Sequence, residues 1–206
     1  MIRIGLTGGI ASGKSMVASF LRDYDYQVLD ADALAHELLE PGQGAYNEVV
    51  SEFGEGILAP GGAVDRRKLG AIVFADSEKR QKLNQILHPR IHDVTVKWFE
   101  ALDRHGGPEM AFEEAALILE VGAQKDLDCV IVCWCRPEQQ LERLIERGMS
   151  RQDAERRIAA QLPIDQKRRM ADEVIDCSRS IDNTEQQVKL LVAKLKRWAA
   201  AGRNIS

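Results

Sequence analysis

The chain has 206 residues, 45% of them hydrophobic and 29% charged, which suits one α/β domain or a core with insertions and is enough to bury a real hydrophobic centre. A formal net charge of -4 argues against a nucleic-acid partner, because duplex binders are usually basic. No apolar run approaches the roughly 18 residues of a membrane span, and the first strand begins without a signal peptide, so no membrane partner and a cytoplasmic location are expected.

Ile2, Ile4 and Leu6 alternate as a short strand that runs into Gly8-Gly9-Ile10-Ala11-Ser12-Gly13-Lys14-Ser15. This stretch satisfies every fixed position of the phosphate-binding pattern G-x-x-x-x-G-K-[ST], and Met16 to Leu21 continues it as a helix. Glycines at 8, 9 and 13 are expected to free the backbone so that successive N-H groups converge on phosphate oxygens, with the helix N-terminus aimed at the same anion. Lys14 reaches toward the β- and γ-phosphates, and the Ser15 hydroxyl is placed to ligate Mg²⁺. The loop therefore identifies a nucleotide binder.

Further strand-length segments fall near 26–30, 110–119, 128–134 and 173–176, with helical patterns between most of them. Such alternation predicts a five-stranded parallel sheet flanked by helices. The gap between the second and third strands is too long for one crossover helix, so residues 33–107 are expected to form a helical insertion. Within it, Ile91, Val94, Trp98 and Leu102 predict one apolar helix stripe, with Pro89 in the first helical turn. A second insertion, 137–170, concentrates Arg143, Arg147, Arg151, Arg156 and Arg157 in two short helices interrupted at Gly148 and has the look of a mobile cover. The last helix, from about 184 to 200, presents Val188, Leu191, Val192 and Leu195 to the sheet. Cys129, Cys133 and Cys135 share one face by their even spacing and read as buried free thiols, not as a zinc site.

Acids and arginines complete the chemistry. Asp30 and Asp32 end the second strand, where open parallel sheets gather ligands. Asp32 either accepts or positions the proton of an acceptor hydroxyl, or both acids cap the next helix. Glu113 and Glu114 interrupt an apolar strand, so a buried acid there needs a cation or metal; Glu114 either holds a water on Mg²⁺ or pairs with solvent or arginine. No acid follows the hydrophobic run Cys129 to Cys135, which weighs against a motor-type ATPase or a GTPase. Arg143 and Arg147, four apart, share a helix face and either close on ATP or pair with surface glutamates such as Glu138, Glu142, Glu146 and Glu155. Arg66, Arg67 and Lys68 read as a solvated basic face, His92 as a surface residue, and His88 as a helix cap or pocket residue.

The chain resembles the dephospho-coenzyme A kinase family in Leu6-Thr7-Gly8-Gly9-Ile10, Asp30-Ala31-Asp32, Leu87-His88-Pro89, Leu117-Ile118-Leu119-Glu120, Gln140 to Leu144, Gln161 to Ile164, Lys167 and Ala171-Asp172. The resemblance implies a P-loop nucleoside-triphosphate hydrolase fold forming a single domain, 1–206. Its nucleotide-binding core would comprise 1–32, 108–136 and 171–206, with a helical substrate domain at 33–107 and a lid at 137–170. It implies transfer of the ATP γ-phosphoryl to the 3'-hydroxyl of dephospho-coenzyme A with Mg²⁺. It assigns ATP to Ala11 through Met16 within the Gly8 to Met16 loop, the acceptor to Asp32 and His88, and catalysis to Lys14, Asp32 and Arg143. Three places depart from the family pattern: Met16 for a usual Thr, Ala116 and Leu119 for Pro and Phe, and Cys177-Ser178-Arg179 for Asn-Ser-Gly on the adenine side. A nucleoside or nucleoside-monophosphate kinase and a non-catalytic ATP sensor are the other readings; intact Lys14, Ser15 and Asp32 argue against the sensor.

Overall fold

A computed structural model of the chain describes residues 1–104 and 106–201; His105 and the end of the 171–206 segment, residues 202–206, lie outside the described residues. Five strands, β1 (Ile2–Gly8), β2 (Gln27–Asp30), β3 (Met110–Glu114), β4 (Cys129–Trp134) and β5 (Glu173–Asp176), form one sheet in the order β2-β3-β1-β4-β5. Every pairing is parallel, with Leu6 opposite Glu114 on one side and Ile131 on the other. All five carboxyl ends therefore lie on one edge, and the loop after β1 leaves from the middle of it.

Alternation along the strands explains the layers. Ile2, Ile4 and Leu6 of β1 and Cys129, Ile131 and Cys133 of β4 face a core shared with Val17, Ala18 and Leu21 of α1 (Lys14–Asp23) and with Val188, Leu191, Val192 and Leu195 of the last helix. The intervening β4 residues Val130 and Val132 face the opposite way, onto Ile118, Leu119 and Ile164. β1 matches this second layer with Gly5, where a Cβ would come within 2.5 Å of Leu127 Cδ1. A central strand buried on both faces is the expected signature of a parallel sheet covered on both sides.

The third strand is shorter than its sequence suggests. It stops at Glu114, and residues 116–122 form a turn. The apolar run continues because Ile118 and Leu119 fill the second layer, a demand that strand and turn residues meet equally well.

The chain divides into two compact units, Met1–Asp30 with Trp98–Ser206, and Ala31–Lys97. The second is helical: α2 (Ala31–Glu37), α3 (Tyr46–Phe53), α4 (Arg66–Ala75) and the first part of α5 (Ser77–Arg104). It has its own core of Leu39, Val49, Ile57, Leu69, Val73, Ile86 and Leu87. Pro89 does not open a helix; it lies inside α5, which begins at Ser77. An interior proline costs about 3 kcal/mol by deleting a backbone bond. Packing of the neighbouring Ile86 and Leu87 opposes that cost, and Arg90 Nη1 donates to the Ile86 carbonyl at 2.5 Å beside the interruption. The buried line along α5 also differs from the expected stripe: Leu87, Thr95 and Phe99 are buried and Val94 is exposed.

In the sheet unit, α6 (Pro137–Glu146) and α7 (Arg151–Ala159) flank Gly148, whose φ of 85° permits the sharp break between them. A further helix, α8 (Ile164–Met170), follows before β5, and α9 (Ile181–Ala200) starts at Ser180, whose hydroxyl accepts from the Asn183 N-H.

Candidate active site

The phosphate loop leaves β1 at Gly8 and enters α1 at Lys14. Its glycines serve two different needs, contrary to the single conformational reason expected. Within the loop only Ala11 (φ 59°) and Gly13 (φ 107°) take left-handed backbone. Gly8 is required by space, since a Cβ there would sit 2.7 Å from the Cys133 carbonyl oxygen, whereas one on Gly9 would push aside the end of the Gln140 side chain. Gly13 is constrained both ways, since its Cβ would also meet Cys177 Sγ at 2.9 Å.

A loop that turns N-H groups inward must turn carbonyls outward, and buried outward carbonyls need donors. These are supplied along the loop. The Gly8 carbonyl accepts from Lys167 Nζ at 3.3 Å, that of Gly9 from the Ser12 N-H at 3.1 Å, and that of Ile10 from Gln140 Nε2 at 2.7 Å. The Ala11 carbonyl accepts from Arg143 Nη1 at 3.1 Å, and that of Gly13 from the Met16 and Val17 N-H groups. The Ile10 N-H donates to Gln161 Oε1 at 2.7 Å. The Ser12 hydroxyl is buried and has no hydrogen-bond partner among the described residues.

Below the loop, Glu114 is 1% exposed and lies between two cations, with Oε1 3.2 Å from Lys14 Nζ and Oε2 3.1 Å from Arg22 Nη2. A buried carboxylate is tolerable with two cationic donors. β4, one neighbour of β1, carries no acid at its carboxyl end. The acids end β3, on the other side, where Glu114 stands opposite Leu6.

Beside the loop a cavity of about 400 Å³ is bordered by residues 11–16, Arg143, Arg147, Arg179 and Ile181. Lys14 and the three arginines give it positive potential, with Glu146 as the acid on its lining. Ser15 is exposed on this wall. Arg143 is not a surface ion-pair residue; its second bond runs from Nη2 to the Cys177 carbonyl at 2.7 Å, so it bridges loop and post-β5 segment. Arg151 and Arg156 pair instead with Glu155 and Asp153 on the surface.

All four cysteines are buried and free, and among the described residues no group of three or more His, Cys, Asp or Glu side chains could hold a metal ion. Burial pushes the Cys129 thiol up to about 12 and that of Cys135 to about 11, and holds Cys133 well above the ordinary value.

The helical unit carries the other sequence-predicted residues. Asp32 is partly buried in the first turn of α2, and neither it nor Asp30 lies in a surface loop. His88 is half-buried in α5, where desolvation lowers its pKa and favours neutral imidazole. Arg66, Arg67 and Lys68 are exposed at the start of α4, capped by Asp65, and His92 is exposed. Sequence reasoning missed Arg22 and the loop-holding roles of Gln140, Gln161 and Lys167. Arg22 had a local signal, standing eight residues after Lys14 on α1; the others had none.

The family profile described as dephospho-CoA kinase matches residues 2–183. A dephospho-CoA kinase of Geobacter sulfurreducens is 44% identical over 192 residues, which cover 93% of this chain and 97% of that protein. The structure of a dephospho-CoA kinase from Campylobacter jejuni superposes with a TM-score of 0.68 at 27% identity, covering 95% of this chain and 97% of that one. A Bacteroides thetaiotaomicron shikimate kinase, at 16% identity and a TM-score of 0.51 over 95% of this chain and 98% of its own, shares the fold.

Proposed function

The chain belongs to the dephospho-CoA kinase family, and from that premise we propose how its residues divide the transfer of the ATP γ-phosphoryl group to the 3'-hydroxyl of dephospho-coenzyme A. The observation that carries this reading is the loop with its outward carbonyls held by side chains, opening on a cavity lined by Lys14, Ser15, Arg143 and Arg147. Such a loop presents converging N-H groups to a triphosphate at no reorganisation cost when the reaction begins.

ATP occupies the Gly8 to Met16 loop, with its base toward Cys177 to Arg179. Lys14 leaves Glu114 for the β- and γ-phosphate oxygens, and Arg22 keeps the carboxylate paired. Arg143 adds positive charge where negative charge spreads over the transferring group, while its carbonyl bonds fix the guanidinium. Asp32, two residues beyond the carboxyl end of β2, takes the proton of the acceptor 3'-hydroxyl as that oxygen bonds to phosphorus and the bond to the ADP oxygen breaks. His88, neutral at physiological pH, contributes to acceptor binding from the helical unit. Core segments 1–32, 108–136 and 171–206 hold the nucleotide and 33–107 the acceptor; within 137–170 the stretch between Arg143 and Gln161 closes as a lid that excludes water, while both ends of the segment stay bonded to the loop.

Mg²⁺ accompanies ATP as part of the substrate, in the cytoplasm. The Ser15 hydroxyl, exposed on the cavity wall, is a hard oxygen donor that would fit such an ion. The ion supplies charge neutralisation on the phosphates.

Incubation with ATP, Mg²⁺ and dephospho-coenzyme A beside a nucleoside panel tests the reading, with coenzyme A and ADP as the expected products. Folded protein that forms no coenzyme A overturns it. Asp32→Asn is expected to lower kcat by about 10²-fold or more, the contribution of a positioned general base; unchanged turnover removes Asp32 from that role.

A further inference from the structure

Two side chains outside the loop motif hold the back of the phosphate loop. Lys167, in α8, is 0% exposed, with Nζ 3.3 Å from the Gly8 carbonyl oxygen, 2.6 Å from that of Ala116 and 2.7 Å from Glu120 Oε1. Six residues earlier, Gln161 Oε1 takes the Ile10 N-H at 2.7 Å. Glu120 joins the two, because the same carboxylate oxygen that meets Lys167 accepts the Leu162 N-H at 3.0 Å.

Burying an ammonium is costly unless it is paired and fully hydrogen-bonded, and an apolar side chain of similar length would fill the same space without that cost. Each of these acceptors can take a donor of the ammonium. Two are backbone carbonyls, one of them in the phosphate loop itself. The peptides between Gly8 and Ile10 belong to the part of the loop that glycine leaves most free. Lys167 fixes the carbonyl at one end of this stretch and Gln161 the N-H at the other.

We infer that Gln161 and Lys167 are positioning residues for phosphoryl transfer, holding the Gly8 to Ile10 backbone so that the N-H groups beyond it converge before ATP arrives. They act through the loop and touch no substrate. The inference rests on the reading that the triphosphate binds this loop. It gives the segment from Gln161 to Lys167 a part in nucleotide affinity that its distance in sequence from the motif conceals.

The test uses the full chain with Gln161→Ala and Lys167→Met, reading KM for ATP, KM for dephospho-coenzyme A, Kd for ATP and ADP by calorimetry, and Tm. Gln161→Ala, at a half-buried position, is expected to weaken ATP and ADP together by about tenfold, the equivalent of one net hydrogen bond to a preorganised loop. KM for dephospho-coenzyme A and Tm should stay near the wild-type values. Lys167→Met should deepen the ATP defect and also lower Tm; should it fail to fold, Gln161→Ala decides. ATP affinity of Gln161→Ala within twofold of wild type, or an equal rise in both KM values together with a fallen Tm, overturns the inference. Wild-type protein that binds no ATP removes the phosphate-site reading on which it rests, an outcome the variants cannot mimic.

Discussion

Glu114→Gln removes one negative charge from between Lys14 and Arg22 and nearly preserves the side-chain shape. Breaking a buried ion pair by removing one partner costs about 3 to 5 kcal/mol. Here the Arg22 side chain is 41% exposed and recovers hydration, whereas that of Lys14 is 11% exposed and does not. The glutamine carbonyl also remains as an acceptor. The net loss should therefore be about 2 kcal/mol, below the range for a fully buried pair. At about 2 to 4 °C per kcal/mol for a chain of this size, Tm should fall by about 4 to 8 °C. ATP changes the comparison, because the wild type gives up the Lys14 to Glu114 contact on binding and the variant has no such contact to lose. The variant should bind ATP about fivefold more tightly, equivalent to about 1 kcal/mol, and its Tm deficit should shrink by about half at saturating ATP. Thermal unfolding of both proteins with and without ATP measures this directly. An ATP-induced Tm rise of the same size in each would refute the exchange of Glu114 for phosphate by Lys14.

Gly13→Ala should destabilise by about 3 kcal/mol, summing left-handed strain and overpacking, since its φ is 107° and the new Cβ meets Cys177 Sγ at 2.9 Å. Adding Cys177→Gly, which removes the Cβ at 2.8 Å as well as the Sγ, should recover part of that loss in a double-mutant cycle by urea unfolding; a cycle with no favourable coupling rejects the steric account. His88 has a folded pKa below its ordinary value near 6.5, so between the two values the unfolded chain binds more protons. Its contribution is therefore fully present above about pH 6.5 and is lost as pH falls toward the depressed value; His88→Gln should flatten that part of the urea-midpoint curve between pH 7.5 and 5.5, and parallel curves would contradict it. Cys129 and Cys135, held near 12 and 11, should resist iodoacetamide at neutral pH in the folded chain and react in urea; rapid native labelling at either would show that burial does not protect it.

What could be read from the sequence was what repeats locally or is fixed by short-range stereochemistry. Alternation in β1 and the helix stripe of α9 locate strands, helices and their buried faces, and the G-x-x-x-x-G-K-S spacing locates the loop. Two features escaped because local signals pointed elsewhere. Pro89 reads as a helix start, yet α5 continues through it, with Ile86 and Leu87 before it and Ile91 after it packed in the same core. The run from Met110 to Leu119 reads as one strand, although its last residues serve a different layer. The support of the loop was illegible for another reason. Gln140, Gln161 and Lys167 bond to backbone 130, 151 and 159 residues away, and a backbone N-H or carbonyl has no side-chain identity to leave a pattern. Ala11 is the sharpest case: a residue with ordinary helical preference adopts φ 59°, with its carbonyl held by Arg143.

The core of Leu39, Val49, Ile57, Leu69 and Val73 shares no residue with either core of the sheet. Substitutions that repack one replace no member of the other, so their stability effects should add. The helical unit can therefore drift, or be redesigned, without spending the tolerance of the phosphate loop and its buried lysine. Selection on the helical core and selection on the sheet cores therefore act on separate sets of buried side chains.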